Sequence, residues 1–154
     1  MIIGETKIRI ISLFLFEELC GTCSTKHAVL KRLADENGNN YLKLVIGIFK
    51  MNSDNTSVIK NVLNKFNLKY IPEAHNYLRN NNYIWDFTGI SVDETEFELD
   101  LLEEVEISPE QITDYKIQYH KDYLLRWIET NKIPYTLDEL WEIREECIAA
   151  LAQN

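Results

Sequence analysis

Two spacings of apolar residues alternate along the first half of this chain, one suited to strands and one to helices. Lys7 to Phe16 is a nearly unbroken Ile, Leu and Phe run and predicts a buried strand. Glu17 to Gly21 predicts a turn, and a helix follows from Thr22 to Glu36. Its inner stripe is expected at Ala28, Leu30, Leu33 and Ala34, with Asn37-Gly38 as the stop signal. Tyr41 to Phe49 predicts a second strand. A polar loop, Asn52 to Asn55, leads to a helix capped by Asn55 or Thr56 and ending near Asn67. The stripe of that helix is Val58, Ile59, Val62, Leu63 and Phe66. Ala74 to Leu78 and Tyr83 to Thr88 then alternate as the two arms of a hairpin. The turn falls on Asn80-Asn81-Asn82, because Asn tolerates positive φ.

The pattern changes after Gly89. Ser91 to Glu106 carries eight acids and no base, and predicts a solvated strip or edge strand with Phe97, Leu99 and Leu101 facing inward. Ser108-Pro109-Glu110-Gln111 has the form of a helix start: a Ser cap, Pro in the first turn and Gln to close a capping box. That helix is expected to reach Thr130. A second capping box, Thr136 with Glu139, opens a last helix ending near Ala152. The elements together predict an α+β fold in a single domain, residues 1–154, with 107–154 as a helical extension packed on the core.

Composition narrows the function classes. The 154 residues can bury a sizeable core, and 45% hydrophobic content argues against disorder. No apolar run approaches the roughly 20 residues that span a bilayer. Acids at Glu17 and Glu18 stand where a secretory cleavage site would need small residues, so secretion is not expected. A net charge of −9 argues against nucleic acid and anionic membrane as partners. Three cysteines do not make a disulfide framework and suit a reducing, cytoplasmic compartment.

Chemistry concentrates around Cys23. It follows a capping Thr22 and so falls in the first helical turn, where the helix dipole and unpaired N–H groups favour a thiolate. Gly21, Thr22, Ser24 and Thr25 are small and leave the sulfur approachable, and backbone N–H groups at Thr22 and Ser24 are candidates to hold an oxyanion. The competing reading of Cys23 is a buried structural thiol. His75 begins the hairpin and Asp86 lies on its return arm, so alternation puts them nearly opposite one another on one face. An Asp bonded to one imidazole nitrogen leaves the other to face a thiol, the general form of an activated nucleophile. Singly, His75 also reads as a half-buried strand histidine and Asp86 as a turn residue.

The runs GTCSTKHAVLKRLADE, KLVIGIFKM, YIPEAHNYL and WDFTG resemble bacterial transglutaminase-like proteins of the papain-like cysteine superfamily. The likeness extends from Gly21 to Leu151. It implies a papain-like core, with the nucleophile helix packed on a small antiparallel sheet and two C-terminal helices. It implies Cys23, His75 and Asp86 as a catalytic triad, and a peptide, amide or other acyl substrate without a cofactor. No Gln or Trp precedes Cys23, so oxyanion donors would come from the backbone.

Two other classes compete. Strand, Cys20-Gly21-Thr22-Cys23, helix is also the order of a thioredoxin-like dithiol oxidoreductase, with Ile71-Pro72 imitating a cis-Pro loop and Cys20 as the attacking thiol. A catalytically inactive interaction domain of the papain-like shape is the third class. A metal site at Cys20, Cys23, His27 and a carboxylate lacks the second ligand pair that zinc sites usually show. His27 instead reads as a helix-face residue beside Cys23. His120, Trp85, Trp127, Trp141 and Cys147 read as packing residues, His120 at the surface or in a satisfied core.

Overall fold

The structure, a computed structural model, describes residues 22–87 and 94–153. The strand expected at Lys7 to Phe16, the turn after it and Cys20 lie outside the described residues. Within them the fold is α+β: five α-helices and a four-stranded antiparallel sheet. The strands are β1 (Lys43–Asn52), β2 (Tyr70–Asn80), β3 (Tyr83–Trp85) and β4 (Leu101–Ile107), in the order β3-β2-β1-β4. The central position of β1 explains its continuous apolar run: Leu44, Val45, Ile46 and Ile48 are all buried.

Helix α1 spans Cys23–Glu36. The Thr22 hydroxyl accepts the Thr25 N–H at 3.3 Å and fixes its start. Asn37 caps its end, and Gly38 follows at φ 74, a conformation that glycine takes without a Cβ penalty. Its inner face differs from the expected stripe. Ser24, His27, Ala28 and Val29 are buried, whereas Leu33 is exposed. Apolar spacing alone misplaced the face because two of its buried members are polar and hydrogen-bonded.

Later elements follow the pattern with three corrections. The helix expected from Asn55 or Thr56 is a 3-10 turn, Ser57–Ile59, followed by a short α2, Lys60–Lys65. The acidic stretch contains α3 (Glu94–Asp100) before the edge strand β4. Residues two apart diverge by about 200° on a helix, so Phe97 and Leu99 do not share a face. Phe97 meets Phe49 with ring centroids 5.4 Å apart, while Leu99 is 81% exposed. Ser108 donates its N–H to Gln111 Oε1 at 2.8 Å as expected, but the turn it opens is a single 3-10 turn, Pro109–Gln111. The α-helix α4 begins only at Asp114 and runs to Asn131. Helix α5, Leu137–Ala152, carries the expected reciprocal box: Thr136 N–H to Glu139 at 2.8 Å, and Glu139 N–H to Thr136 Oγ1 at 3.3 Å.

The chain divides into two compact units. One comprises the described parts of residues 1–47, 75–91 and 104–114. It holds α1, β2 from His75 onward and β3, and with them every described candidate active-site residue. The other comprises the described parts of residues 48–74, 92–103 and 115–154. Its core is Met51, Ile59, Leu63, Ile71, Leu124, Trp127, Leu140, Ile143 and Cys147, where α2, α4 and α5 bury their apolar faces. No described helix is long and apolar enough to cross a membrane.

Candidate active site

The β2–β3 hairpin sets the first pair. Its register is Asn80↔Tyr83, Arg79↔Ile84 and Leu78↔Trp85, with Asn81 at φ 46 in the turn. Carried one step further, this register puts Tyr77 opposite Asp86. His75 is then a diagonal neighbour of Asp86 on the same face, rather than directly opposite it. The imidazole reaches along that diagonal: His75 Nε2 lies 2.6 Å from Asp86 Oδ2. The Cys23 side chain also hydrogen-bonds His75 and favours its charged form.

Cys23 is the first residue of α1 and is partly buried. Burial works against a charged His75, but its hydrogen bonds to Asp86 and Cys23, with the negative charge they carry, outweigh burial and hold the imidazole up at about 9. An imidazolium that persists through neutral pH is the counter-ion a thiolate needs. The backbone N–H groups of Cys23 and Ser24 precede the first intrahelical bond, from Lys26 N to the Thr22 carbonyl.

Sequence neighbours of the three residues are bonded to one another. The Ser24 hydroxyl donates to Asn76 Oδ1 at 2.7 Å, and Asn76 Nδ2 donates to the Val45 carbonyl at 3.1 Å. Ser24 and Asn76 are buried. This ties the residue after Cys23 to the residue after His75. His27, also fully buried, makes the second tie. Its Nδ1 lies 2.7 Å from the Cys23 carbonyl, which can only accept, and its Nε2 accepts the Phe87 N–H at 3.0 Å. Burial holds the His27 pKa below its ordinary value despite the Cys23 carbonyl and the Asp86 charge.

The structure thus brings Cys23, His75 and Asp86 together, with Thr22 as the helix cap and Ser24 engaged through its side chain. Cys20 of the alternative dithiol lies outside the described residues. No described peptide bond is cis; Pro72 sits inside β2, and its carbonyl accepts a hydrogen bond from His120 Nε2 at 2.8 Å. His27 uses both ring nitrogens in hydrogen bonds, which leaves neither lone pair for a metal. Among the described residues, no cluster of three or more His, Cys, Asp or Glu side chains has the arrangement of a metal site.

Sequence reasoning did not assign Asn76 a role, nor the Ser24 side chain. The available signal was a polar residue on the same strand face as the apolar Ala74 and Leu78, two positions to either side. Trp85 was expected in the core and is instead 47% exposed, stacked on Phe87 with centroids 6.5 Å apart. It sits on the edge strand β3, where no further strand covers it among the described residues. Comparison with protein-family models, with curated proteins and with solved structures finds no match to this chain.

Proposed function

We propose that this protein is a cysteine-nucleophile enzyme of the papain-like, transglutaminase-like kind, which transfers or hydrolyses an acyl group held as an amide. The observation that carries the reading is the continuous chain of hydrogen bonds from Cys23 at a helix start, through His75, to Asp86. In the proposed reaction the Cys23 thiolate attacks the amide carbonyl and forms a C–S bond. The carbonyl electron pair moves to oxygen, stabilised by backbone N–H groups at the start of α1. As the C–N bond breaks, the imidazolium of His75 gives its proton to the leaving amine, and a thioester remains. Water or a second amine then attacks the thioester. His75 takes that nucleophile's proton, and the sulfur leaves as thiolate. Asp86 holds the imidazole in the orientation that both proton transfers use.

The test is the alkylation of Cys23 by iodoacetamide as a function of pH, with peptide mapping to separate the three thiols. The expected midpoint lies near pH 6 to 7, below the roughly 8.5 of a free cysteine. In His75→Ala it should return toward that free value. Equal rates at Cys23 and Cys147, with midpoints at or above that value, would overturn the proposal. The same measurement on Cys20→Ser separates the dithiol class: the profile should persist, whereas Cys20-dependent reduction of insulin would favour the oxidoreductase reading.

A further inference from the structure

We propose that His27 is a positioning residue for this site: its neutral ring, protonated on Nδ1, clamps the Cys23 carbonyl to the Phe87 amide and so fixes the thiol and the Asp86 carboxylate on one frame. The proposal rests on the acyl-transfer reading and adds to it a residue that touches no reacting atom.

The hydrogen bonds dictate the ring's state. Nδ1 faces the Cys23 carbonyl at 2.7 Å and Nε2 faces the Phe87 N–H at 3.0 Å. A carbonyl oxygen accepts and an amide N–H donates, so Nδ1 must carry the proton and Nε2 must be bare. The other neutral tautomer would set a lone pair against the carbonyl and two N–H groups against each other. His27 is wholly buried, so water cannot replace either bond. The clamp joins residues adjacent to the two ends of the chemistry. Cys23 supplies the thiol from its own side chain, and Phe87 directly follows Asp86.

The neutral state also matters for Asp86. Its Oδ1 lies 3.6 Å from His27 Nε2, while its Oδ2 accepts from His75 at 2.6 Å. A proton on Nε2 would break the Phe87 bond and offer the carboxylate a second cation, in competition with His75. The charged or titratable groups acting on the ring are Asp86, His75 and Lys26. With His27 neutral, Asp86 is left to orient His75 alone.

The experiment has two readouts on the full chain. Nitrogen-15 spectroscopy of the labelled wild-type protein at pH 7 should find His27 protonated on Nδ1 and bare on Nε2. A proton on Nε2, in either charge state, overturns the clamp. Two variants then split the bonds. Asn places an amide near the Nδ1 position and Gln places one near the Nε2 position, so His27→Asn and His27→Gln each retain at most one tie. In each folded variant, checked by circular dichroism, Cys23 alkylation at pH 6.5 should fall on the order of 10-fold and its midpoint should rise toward that of His75→Ala. Folded variants with the wild-type rate and midpoint overturn the proposal. If neither variant folds, the wild-type tautomer decides. A wild-type midpoint near that of a free thiol fails the acyl-transfer reading before His27 is touched, so the two failures are distinguishable.

Discussion

Each of the two units holds a cysteine, a histidine and an acid with a basic partner, and the two groups are built for opposite ends. In the first unit, Cys23 opens a helix, hydrogen-bonds an imidazole that is held up at about 9, and keeps part of its surface open. In the second, Cys147 sits in the interior of α5 with no exposed surface. Burial there, with the Glu73 and Glu146 charges, pushes its thiol up to about 11. His120 spends Nε2 on the Pro72 carbonyl and packs against Trp141, with burial keeping its pKa low. Glu73 is locked into a two-point ion pair with Arg144 at 2.8 and 2.6 Å. The residue types are similar; the difference lies in what faces the sulfur. A thiol beside a cation and a helix start is poised to ionise, and a thiol among apolar side chains and carboxylates is kept protonated.

The largest effect that would sharpen this contrast is in stability. Glu73→Gln takes the two-point carboxylate from the half-buried Arg144 guanidinium, leaving Glu145 as its charged partner, and should cost about 2 kcal/mol by denaturant titration. Its Cys23 alkylation midpoint should not move. Asp86→Asn should do the reverse: a smaller stability loss, on the order of 1 kcal/mol for a hydrogen bond in a partly exposed place, with a clear rise in the Cys23 midpoint. If Glu73→Gln moved the Cys23 midpoint, or Asp86→Asn left it in place, the separation of a structural pair from a site pair would fail.

The next effect is in pH dependence. The folded His75 pKa of about 9 lies above the ordinary 6.5, so its contribution to stability is complete below 6.5 and is lost as pH rises through about 9. His27 and His120 are shifted the other way and weaken the fold as pH falls below 6.5. The melting temperature should therefore peak near neutral pH. Its decline above neutrality, roughly 2–4 °C per kcal/mol lost for a chain of this length, should be shallower in His75→Ala. Equal slopes in the two proteins would assign the decline to other groups.

The smallest effect compares two caps. Thr22→Ala and Thr136→Ala each remove a hydroxyl that accepts from an N–H at 3.3 Å, and each should cost about 1 kcal/mol. Only Thr22→Ala should also slow Cys23 alkylation at pH 6.5, because only that cap orders a helix start bearing a reactive thiol. A slowed Cys23 in Thr136→Ala would break the assignment of local effects to local caps.

Much of this was readable along the chain because it depends on near neighbours. The two Thr caps and the Asn37 stop follow from side chains bonding backbone a few residues away. The central strand β1 was legible from its apolar run, and the pairing of His75 with Asp86 from alternation across a short hairpin. Where helix and strand periods compete, as at Phe97 to Leu101, alternation misled. The exposed Trp85 shows the same limit, since hydrophobicity does not say whether a strand lies at an edge.

The chain's own pattern determined the element types, the helix start under Cys23 and the short span between His75 and Asp86. Only the tertiary structure decided which polar residues face inward. Ser24 finds Asn76 across 52 positions and His27 finds Phe87 across 60. A buried polar side chain is tolerable only when such a partner arrives, and no local spacing announces a partner that far away.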